Sequence, residues 1–269
     1  MPEVPTESYG FVNNSSKAFN FPDLRNEVLE LGFSIIRSRL SIAEIKKMSA
    51  LLDEVYKEFV YKYHADKENE QSIIDVIRLP LIFRHEFFDL IFDNNLLTLV
   101  SELINGEFIL NQQNGLLNSP NTKFSQSRWH RDLPYQNFIS SKPIAISCIF
   151  CIDDFTEENG ATFVLPRSHK LETLPSKKNI KKDSVQLIAK SGDFIIMDSM
   201  LMHSAGINSS NSKRRGINQI FTIPYIKQQI SLKKYFINTQ LSTFEKRILG
   251  ISSSEPESIE DYLNNRKNE

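Results

Sequence analysis

The chain has 269 residues, of which 40% are hydrophobic and 24% charged, and its net charge is −1. This composition is typical of a globular protein with a sizeable core and excludes a disordered chain. The small net charge argues against nucleic acid and an anionic membrane as partners. No apolar run approaches the ~20 residues of a membrane span, and the N-terminus does not resemble a signal peptide, so we expect a soluble, cytoplasmic protein.

The first part of the chain, to about residue 105, is predicted to be mostly helical. After a short strand in GFSIIRSRL, Ser41 and Glu44 form the S-x-x-E pattern of a capping box. Apolar residues then recur at steps of three and four to about residue 63, which predicts an amphipathic helix. A second helix is predicted over roughly 86–104, ending at Asn105-Gly106. We expect both helices to pack on one face of a sheet.

Short β-branched or aromatic runs dominate from residue 106 to about 225: FILNQQNGLL, PIAISCIFCI, ATFVLP, SVQLIA, DFIIMD and RGINQIFTIP. Six or more such strands without intervening helices indicate an antiparallel sandwich or barrel. Segments 118–128 and 171–183 are predicted to be loops over a site. The second contains a cluster of lysines, for which plain solvation and an anion-binding lid both stay open: Lys177, Lys178, Lys181 and Lys182.

The domain prediction is a single unit over 1–269, with a helical front (about 1–105), the strand-rich core and a mixed tail (226–269). The tail contains two helical-looking segments, STFEKRILG and ESIEDYLNNRK. They could pack on the sheet or form an oligomer contact, so both a monomer and a homodimer remain open.

Two cysteines, Cys148 and Cys151, lie in the run SCIFC. A zinc site needs about four ligands, and the chain has no second cysteine pair. Residues three apart on a strand face opposite sides, so the two sulfurs should diverge. We expect two buried core thiols.

Five histidines are present, and His130 stands out because it lies two residues before Asp132 in RWHRDLPY. On an extended chain, positions i and i+2 face the same side, so their donors can share one metal ion. His203, which follows the strand DFIIMD, is the best candidate for a third ligand. Two imidazoles and one carboxylate indicate non-haem Fe(II) oxygen chemistry, although H-x-D alone is a weak signal.

Arg214, eleven residues after His203, opens the strand RRGINQIFTIP. A guanidinium there can bind a carboxylate with two parallel donors. Alternation puts Gly216, where a ligand would have room, and Asn218 on the face of Arg214, and turns Arg215 away, although a bulge could exchange the two arginines. We expect Arg214 to be a ligand-binding residue.

These motifs together resemble the phytanoyl-CoA dioxygenase family of Fe(II)/2-oxoglutarate oxygenases. The matching pieces are WHRD, ENGATFVLPRSHK, SGDFIIMDSMLMHSAG and the arginine eleven residues past the distal histidine. The resemblance implies a mainly β fold with α additions: a double-stranded β-helix (jelly roll, cupin-like) with N-terminal helices packed on one sheet.

The resemblance also implies the site and its cofactors. Iron, Fe(2+), would be held by His130, Asp132 and His203, and Arg214 would bind the far carboxylate of 2-oxoglutarate, which reacts with O2. Ala205 replaces a hydroxyl residue frequent in the family, so we expect further cosubstrate contacts from Gln113 or Ser204. His169, in the family's P-x-S-H turn, would be structural, although it also stays open as a rival third ligand.

The activity implied is hydroxylation of a small-molecule metabolite, with release of succinate and CO2. Because Asp132 supplies a carboxylate where halogenating relatives have a small residue, hydroxylation or a related oxidation is favoured. Phe124, Tyr135 and Phe138 flank the metal motif and are candidates to line the pocket. Arg128, Arg131 and the lysine cluster leave open an anionic substrate, although surface charge explains them as well.

Three other interpretations remain: a cupin-type metalloenzyme that does not use 2-oxoglutarate, a non-catalytic β-sandwich binding protein, and an oxygenase fold that has lost activity. Arg214 discriminates against the first, because such an enzyme needs no buried arginine at this spacing. The complete set of candidate ligands disfavours the last.

Overall fold

The computed structural model describes residues 20–64, 75–133 and 139–265. Within these ranges the helices are α1 Pro22–Leu31, α2 Ile42–His64, α3 His85–Asp89, α4 Asn94–Ile104, α5 Lys177–Asp183, α6 Lys233–Phe236, α7 Thr243–Ile248 and α8 Ile259–Asn265. The strands are β1 Phe33–Arg37, β2 Val76–Arg78, β3 Ile109–Asn118, β4 Ala145–Cys151, β5 Thr162–Val164, β6 Val185–Gln186, β7 Asp193–Asp198, β8 His203–Ala205 and β9 Arg214–Thr222.

Two antiparallel sheets form the centre of the protein. The larger sheet has the strand order β1-β7-β4-β9-β3-β2, and the smaller one has the order β6-β5-β8. Apolar side chains of both sheets meet in one cluster, which includes Leu116 and Ile195 of the larger sheet and Val164 of the smaller one. The jelly-roll prediction is confirmed.

A second, larger apolar cluster lies on the other face of the larger sheet. There α1, α2 and α4 pack through residues such as Val28, Leu52 and Leu99. Side-chain alternation along β4 places Cys148 in this cluster and Cys151 in the cluster between the sheets, both as free, buried thiols. The expectation of two diverging core cysteines is therefore confirmed.

Local capping chemistry explains where the front helices begin and end. The Ser41 backbone N–H donates to the Glu44 carboxylate and the Glu44 N–H to the Ser41 hydroxyl, which is the predicted capping box. The prediction of a single helix over 86–104 is wrong, because Asp93 leaves the helical conformation and caps α4. Helix α4 ends where the sequence predicted, with Asn105 in the left-handed conformation (φ 51°).

The segment 171–183 is not a plain loop, which corrects the prediction. Its second half is α5, where the Ser176 hydroxyl accepts from Asn179 N at 3.2 Å and so caps the first turn. The four lysines of the cluster lie exposed on this helix.

The tail packs on the core in part. Leu232, Ile248 and Leu249 are buried in the large apolar cluster, and α7 begins with a capping box formed by Ser242 and Glu245. The helices in the described ranges include none long and apolar enough to cross a membrane.

Asp93 offers a test of this architecture, because its carboxylate accepts three backbone N–H groups: those of Arg39, Asn95 and Leu96, at 2.8–3.1 Å. We expect Asp93→Ala to lower the free energy of unfolding by about 1–3 kcal/mol, since the substitution removes a helix cap and leaves these donors without their partner. Urea denaturation measures the change. Asn94→Ala, at an exposed neighbouring position, should stay within about 0.5 kcal/mol of wild type; equal losses for both variants would contradict the capping role.

Candidate metal centre

His130 and His203 face each other across a short antiparallel pair. The N–H of His130 donates to the carbonyl of His203 at 2.9 Å, and the N–H of His203 donates to the carbonyl of His130 at 3.0 Å. Residues that exchange both bonds lie directly opposite and point to the same face. The two imidazole centroids are accordingly 4.3 Å apart.

Backbone carbonyls occupy the same nitrogen on both rings. Nδ1 of His130 lies 2.6 Å from the Arg128 carbonyl oxygen, and Nδ1 of His203 lies 2.9 Å from the Leu201 carbonyl oxygen. A carbonyl only accepts, so each Nδ1 carries a proton, and in the neutral ring Nε2 keeps its lone pair. Both rings are therefore held in the form that can bind a metal through Nε2.

Asp132 places one carboxylate oxygen between these two nitrogens. Its Oδ1 lies 3.6 Å from Nε2 of His130 and 3.6 Å from Nε2 of His203. The three donor atoms all lie within 4.8 Å of one another, close enough to bind one metal ion together. The structure thus brings together the three residues singled out in the sequence.

The charges of the three groups depend on one another. Burial opposes ionisation of Asp132, but the two histidines and the Ser147 hydroxyl outweigh it and lower the pKa of Asp132 to about 2. Burial lowers the pKa of His203. Burial also opposes protonation of His130, but the Asp132 carboxylate and the Arg128 carbonyl together outweigh it and raise the pKa of His130. Asp132 is therefore an anion at neutral pH.

These residues line a cleft between the two sheets with about 360 Å³ of free space, part of it open to solvent. Its wall contains further polar groups and several apolar ones: Leu116, Phe124, Gln126, Ile149, Thr162, Ala205, Arg214 and Asn218. The prediction that Phe124 lines the pocket is confirmed, whereas Tyr135 and Phe138 lie outside the described residues.

Arg214 is 2% exposed and extends into this cleft. Its guanidinium carbon lies 4.0 Å from the centre of the Phe155 ring, and its Nε donates to the Asn159 carbonyl at 3.2 Å. No carboxylate of the described chain forms a salt bridge with it, and burial lowers the pKa of Arg214 to about 10. Arg214 is therefore a buried cation with donors available to an anionic ligand.

Arg215 points the other way, as alternation predicts, and forms ion pairs with Asp53 and Asp153 at 2.8 and 3.0 Å. The space expected beside Gly216 is filled by protein. A Cβ built on Gly216 would lie 3.1 Å from Cζ of Phe155. Gly216 thus admits the ring on which Arg214 stacks, rather than a ligand.

Two residues expected to contact the cosubstrate, Gln113 and Ser204, do not line the cleft. Gln113 faces the helical side of the larger sheet, where its amide group bonds Leu81 N, the Phe87 carbonyl and Gln219 at 2.7–3.1 Å. Ser204 faces away from the cleft because it alternates with His203, and its hydroxyl donates to the Ala205 carbonyl. Neither side chain lines the cleft.

Arg131 and His169 serve the surrounding structure. Arg131 is 5% exposed, donates to the carbonyls of Ser168 and Leu171, and does not line the cleft. His169 lies in the Ser168–Lys170 turn, where its Nε2 contacts the Leu29 carbonyl oxygen at 3.2 Å. The interpretation of His169 as structural is supported.

Asn218 and Thr162 line the cleft but were not predicted as ligand contacts. Oδ1 of Asn218 is buried without a hydrogen-bond partner in the described chain, and such groups normally have one. Asn218 could have been predicted as a ligand contact, because it lies four residues after Arg214 on the same face of the strand. No comparable signal marked Thr162, which lies on a different strand.

The donor set fits a ferrous ion. Two imidazole nitrogens and one carboxylate on one side of an ion leave the remaining positions open for exogenous ligands, as in non-haem Fe(II) oxygenases. The buried Arg214 in the same cleft fits an anionic cosubstrate with a free carboxylate.

Comparisons with known proteins agree with this chemistry. The family model described as phytanoyl-CoA dioxygenase matches residues 29–216. An uncharacterized protein of Mycobacterium tuberculosis is 27% identical over 224 residues, covering 81% of this chain and 80% of its own length. The iron/alpha-ketoglutarate-dependent dioxygenase ausO of Aspergillus calidoustus is 24% identical over 281 residues, covering 92% and 93%.

Among solved structures, the epimerase SnoN in complex with Fe³⁺, alpha ketoglutarate and nogalamycin RO matches with a TM-score of 0.61. The match covers 82% of this chain and 92% of SnoN at 16% identity, so it concerns the fold alone. The matched region of the family model includes all three candidate ligands and Arg214.

Removal of one imidazole tests the centre. We expect His203→Ala to weaken Fe(II) or Co(II) binding more than 100-fold, because loss of a residue that only orients a metal ligand typically costs 10–100-fold. Anaerobic metal titration measures the affinity. His85→Ala is the matched control, since His85 lies on the surface and pairs with Asp89; unchanged affinity in His203→Ala would reject His203 as a ligand.

Proposed function

The chain belongs to the phytanoyl-CoA dioxygenase family, and from this premise we propose that it hydroxylates a small-molecule substrate with release of succinate and CO2. His130, Asp132 and His203 would hold Fe(II), and Arg214 would bind 2-oxoglutarate. Family membership confirms the resemblance inferred from the motifs and the dependence on iron and 2-oxoglutarate. The type of oxidation, the roles of the individual residues and the substrate are our proposals.

The observation that carries the proposal is the pairing of two features in one cleft. Three donors converge through Nε2 of both histidines and the Asp132 carboxylate, and a buried guanidinium that has no carboxylate partner among the described residues lines the same space. A cupin-type enzyme that does not use 2-oxoglutarate has no need of the second feature. A binding module has no need of the first.

Arg214 would act by binding and orienting the cosubstrate. Its planar donor set can bind the distal carboxylate of 2-oxoglutarate with two parallel hydrogen bonds, and the Phe155 ring holds the guanidinium from one side. Asn218 and Thr162, rather than Gln113 and Ser204, are placed to contribute further contacts. Iron with bound 2-oxoglutarate supplies the activation of dioxygen.

The cleft wall would exclude water around the reacting atoms. Leu116, Phe124, Ile149 and Ala205 form its apolar part, and removal of water protects reactive species from side reactions. The polar side chain of Gln126 also lines the cleft and is placed to bind a polar group of the substrate. This mixture favours a small organic molecule with both apolar and hydrogen-bonding parts.

Product analysis distinguishes hydroxylation from other outcomes. We expect succinate formation to depend on Fe(II) and 2-oxoglutarate and to rise with an accepted substrate, whose product gains the mass of one oxygen atom. Mass spectrometry across a panel of small metabolites measures both. Stereochemical inversion without a change in mass would indicate an epimerase and contradict the hydroxylase proposal.

The role of Arg214 can be tested separately from iron binding. We expect Arg214→Ala to raise the 2-oxoglutarate concentration required for half-saturation about 30-fold or more, since loss of one partner of a buried charge pair costs at least 2 kcal/mol. The metal-to-ligand charge-transfer band of the anaerobic Fe(II)–2-oxoglutarate complex, followed as 2-oxoglutarate is added, gives the concentration for half-saturation. Fe(II) affinity should persist.

The neighbouring Arg215→Ala is the matched control for Arg214→Ala. It removes the same charge one position away, on the opposite face of β9, where Arg215 pairs with Asp53 and Asp153. It should leave the cosubstrate requirement unchanged although it weakens surface ion pairs. Equal effects of the two substitutions would contradict a specific role of Arg214.

A further inference from the structure

Two buried serines extend inward from the candidate ligand Asp132. The Ser147 hydroxyl lies 2.6 Å from Oδ2 of Asp132, and the Ser199 hydroxyl lies 2.7 Å from that of Ser147. Both serines are completely buried. The carboxylate thus presents Oδ1 to the two histidines and Oδ2 to a chain of two hydroxyl groups.

The direction of these hydrogen bonds follows from counting protons. An ionised carboxylate only accepts, so Ser147 donates its single proton to Oδ2. Because that proton is used, Ser199 must donate to the oxygen of Ser147. Ser199 therefore polarises and orients the hydroxyl that holds Asp132, and it acts on the carboxylate only through Ser147.

The backbone holds both serines in place. Ser147 lies on β4, paired on its two sides with Met197 and Ile220 of the neighbouring strands. Ser199 follows β7 and donates its N–H to the Ala145 carbonyl at 3.1 Å.

The carbonyl of Ser199 also accepts the N–H of Asp132 at 2.9 Å. The segment that carries the ligand and the hydroxyl chain that orients its side chain are thus attached to the same point of the larger sheet.

We propose that Ser147 is a positioning residue that holds Asp132 in a one-oxygen binding mode, with Ser199 as its support. The inference rests on the metal-binding role proposed above for Asp132. With Oδ2 engaged by Ser147, only Oδ1 points between Nε2 of His130 and Nε2 of His203. Without the hydroxyl, the carboxylate can rotate and offer both oxygens to the ion, which uses a coordination position otherwise left for the cosubstrate or dioxygen.

The test is a titration of the metal-free protein with Co(II) in the absence of 2-oxoglutarate. We expect Ser147→Ala to weaken Co(II) binding about 10–100-fold, the usual cost of losing a partner of a metal ligand. We expect Ser199→Ala to weaken it less. In the Ser147→Ala background, Ser199→Ala should cause no further loss, because Ser199 acts only through Ser147.

Two further variants separate positioning from a general effect of cavity formation. Ser204→Ala is the matched control: Ser204 is also buried and adjoins His203, but its hydroxyl donates to the Ala205 carbonyl, so Co(II) affinity should stay at the wild-type value. Ser147→Thr keeps the hydroxyl and should bind Co(II) more tightly than Ser147→Ala. The visible spectrum of bound Co(II) should change in Ser147→Ala as the coordination of Asp132 changes, and should not change in Ser204→Ala.

The outcomes distinguish this inference from the proposed function. Wild-type protein that fails to bind Co(II) or Fe(II) would overturn the metal site and, with it, the role of Ser147. Wild-type binding that survives unchanged in Ser147→Ala would overturn only the positioning role. Full additivity of the two serine substitutions would overturn the support by Ser199.

Discussion

The candidate site depends on one backbone pair, the exchange of two hydrogen bonds between His130 and His203. It joins segments 73 residues apart in the chain and places both imidazoles on the same face. Each ring is then fixed by a carbonyl two residues before it, Arg128 in one case and Leu201 in the other. The metal-binding geometry is therefore a property of paired extended backbone, which leaves the side chains little freedom to rearrange.

Burial of Arg214 has an energetic cost that the protein alone offsets only in part. The Phe155 ring and one carbonyl of Asn159 stabilise the guanidinium, yet desolvation still lowers its pKa to about 10. Buried charges are normally paired. In the proposed function, a ligand carboxylate would supply a partner for this large buried cation.

Much of this arrangement could be predicted from sequence because strands alternate. Alternation correctly separated Arg214 from Arg215 and Cys148 from Cys151. The same rule should have excluded Ser204, which adjoins His203. For Gln113 the rule gave no help, since the run NQQN has polar residues on both faces of β3, and a register irregularity between Leu110 and Gln112 precedes it.

Other features depended on tertiary contacts that no local pattern contains. Asp93 is in part such a case: its bonds to Asn95 N and Leu96 N are a local capping signal, but its carboxylate also accepts from Arg39 N, 54 residues earlier. In the sequence Arg131 lies between the candidate ligands His130 and Asp132, which suggests a substrate contact. In the structure its guanidinium instead donates to the carbonyls of Ser168 and Leu171. Ser147 carried no motif at all, because its role appears only once β4 passes beside Asp132.

The charges in the cleft give a reason for metal and cosubstrate to occur together. Asp132 is anionic and Arg214 is cationic, so these two opposite charges balance each other. A divalent cation or a dianion bound alone would leave a net charge in a partly buried space, whereas the two bound together restore neutrality. The three candidate ligands and Arg214 would therefore act as one electrostatic unit, and a cleft with only the metal site or only the guanidinium would bind its ligand less favourably.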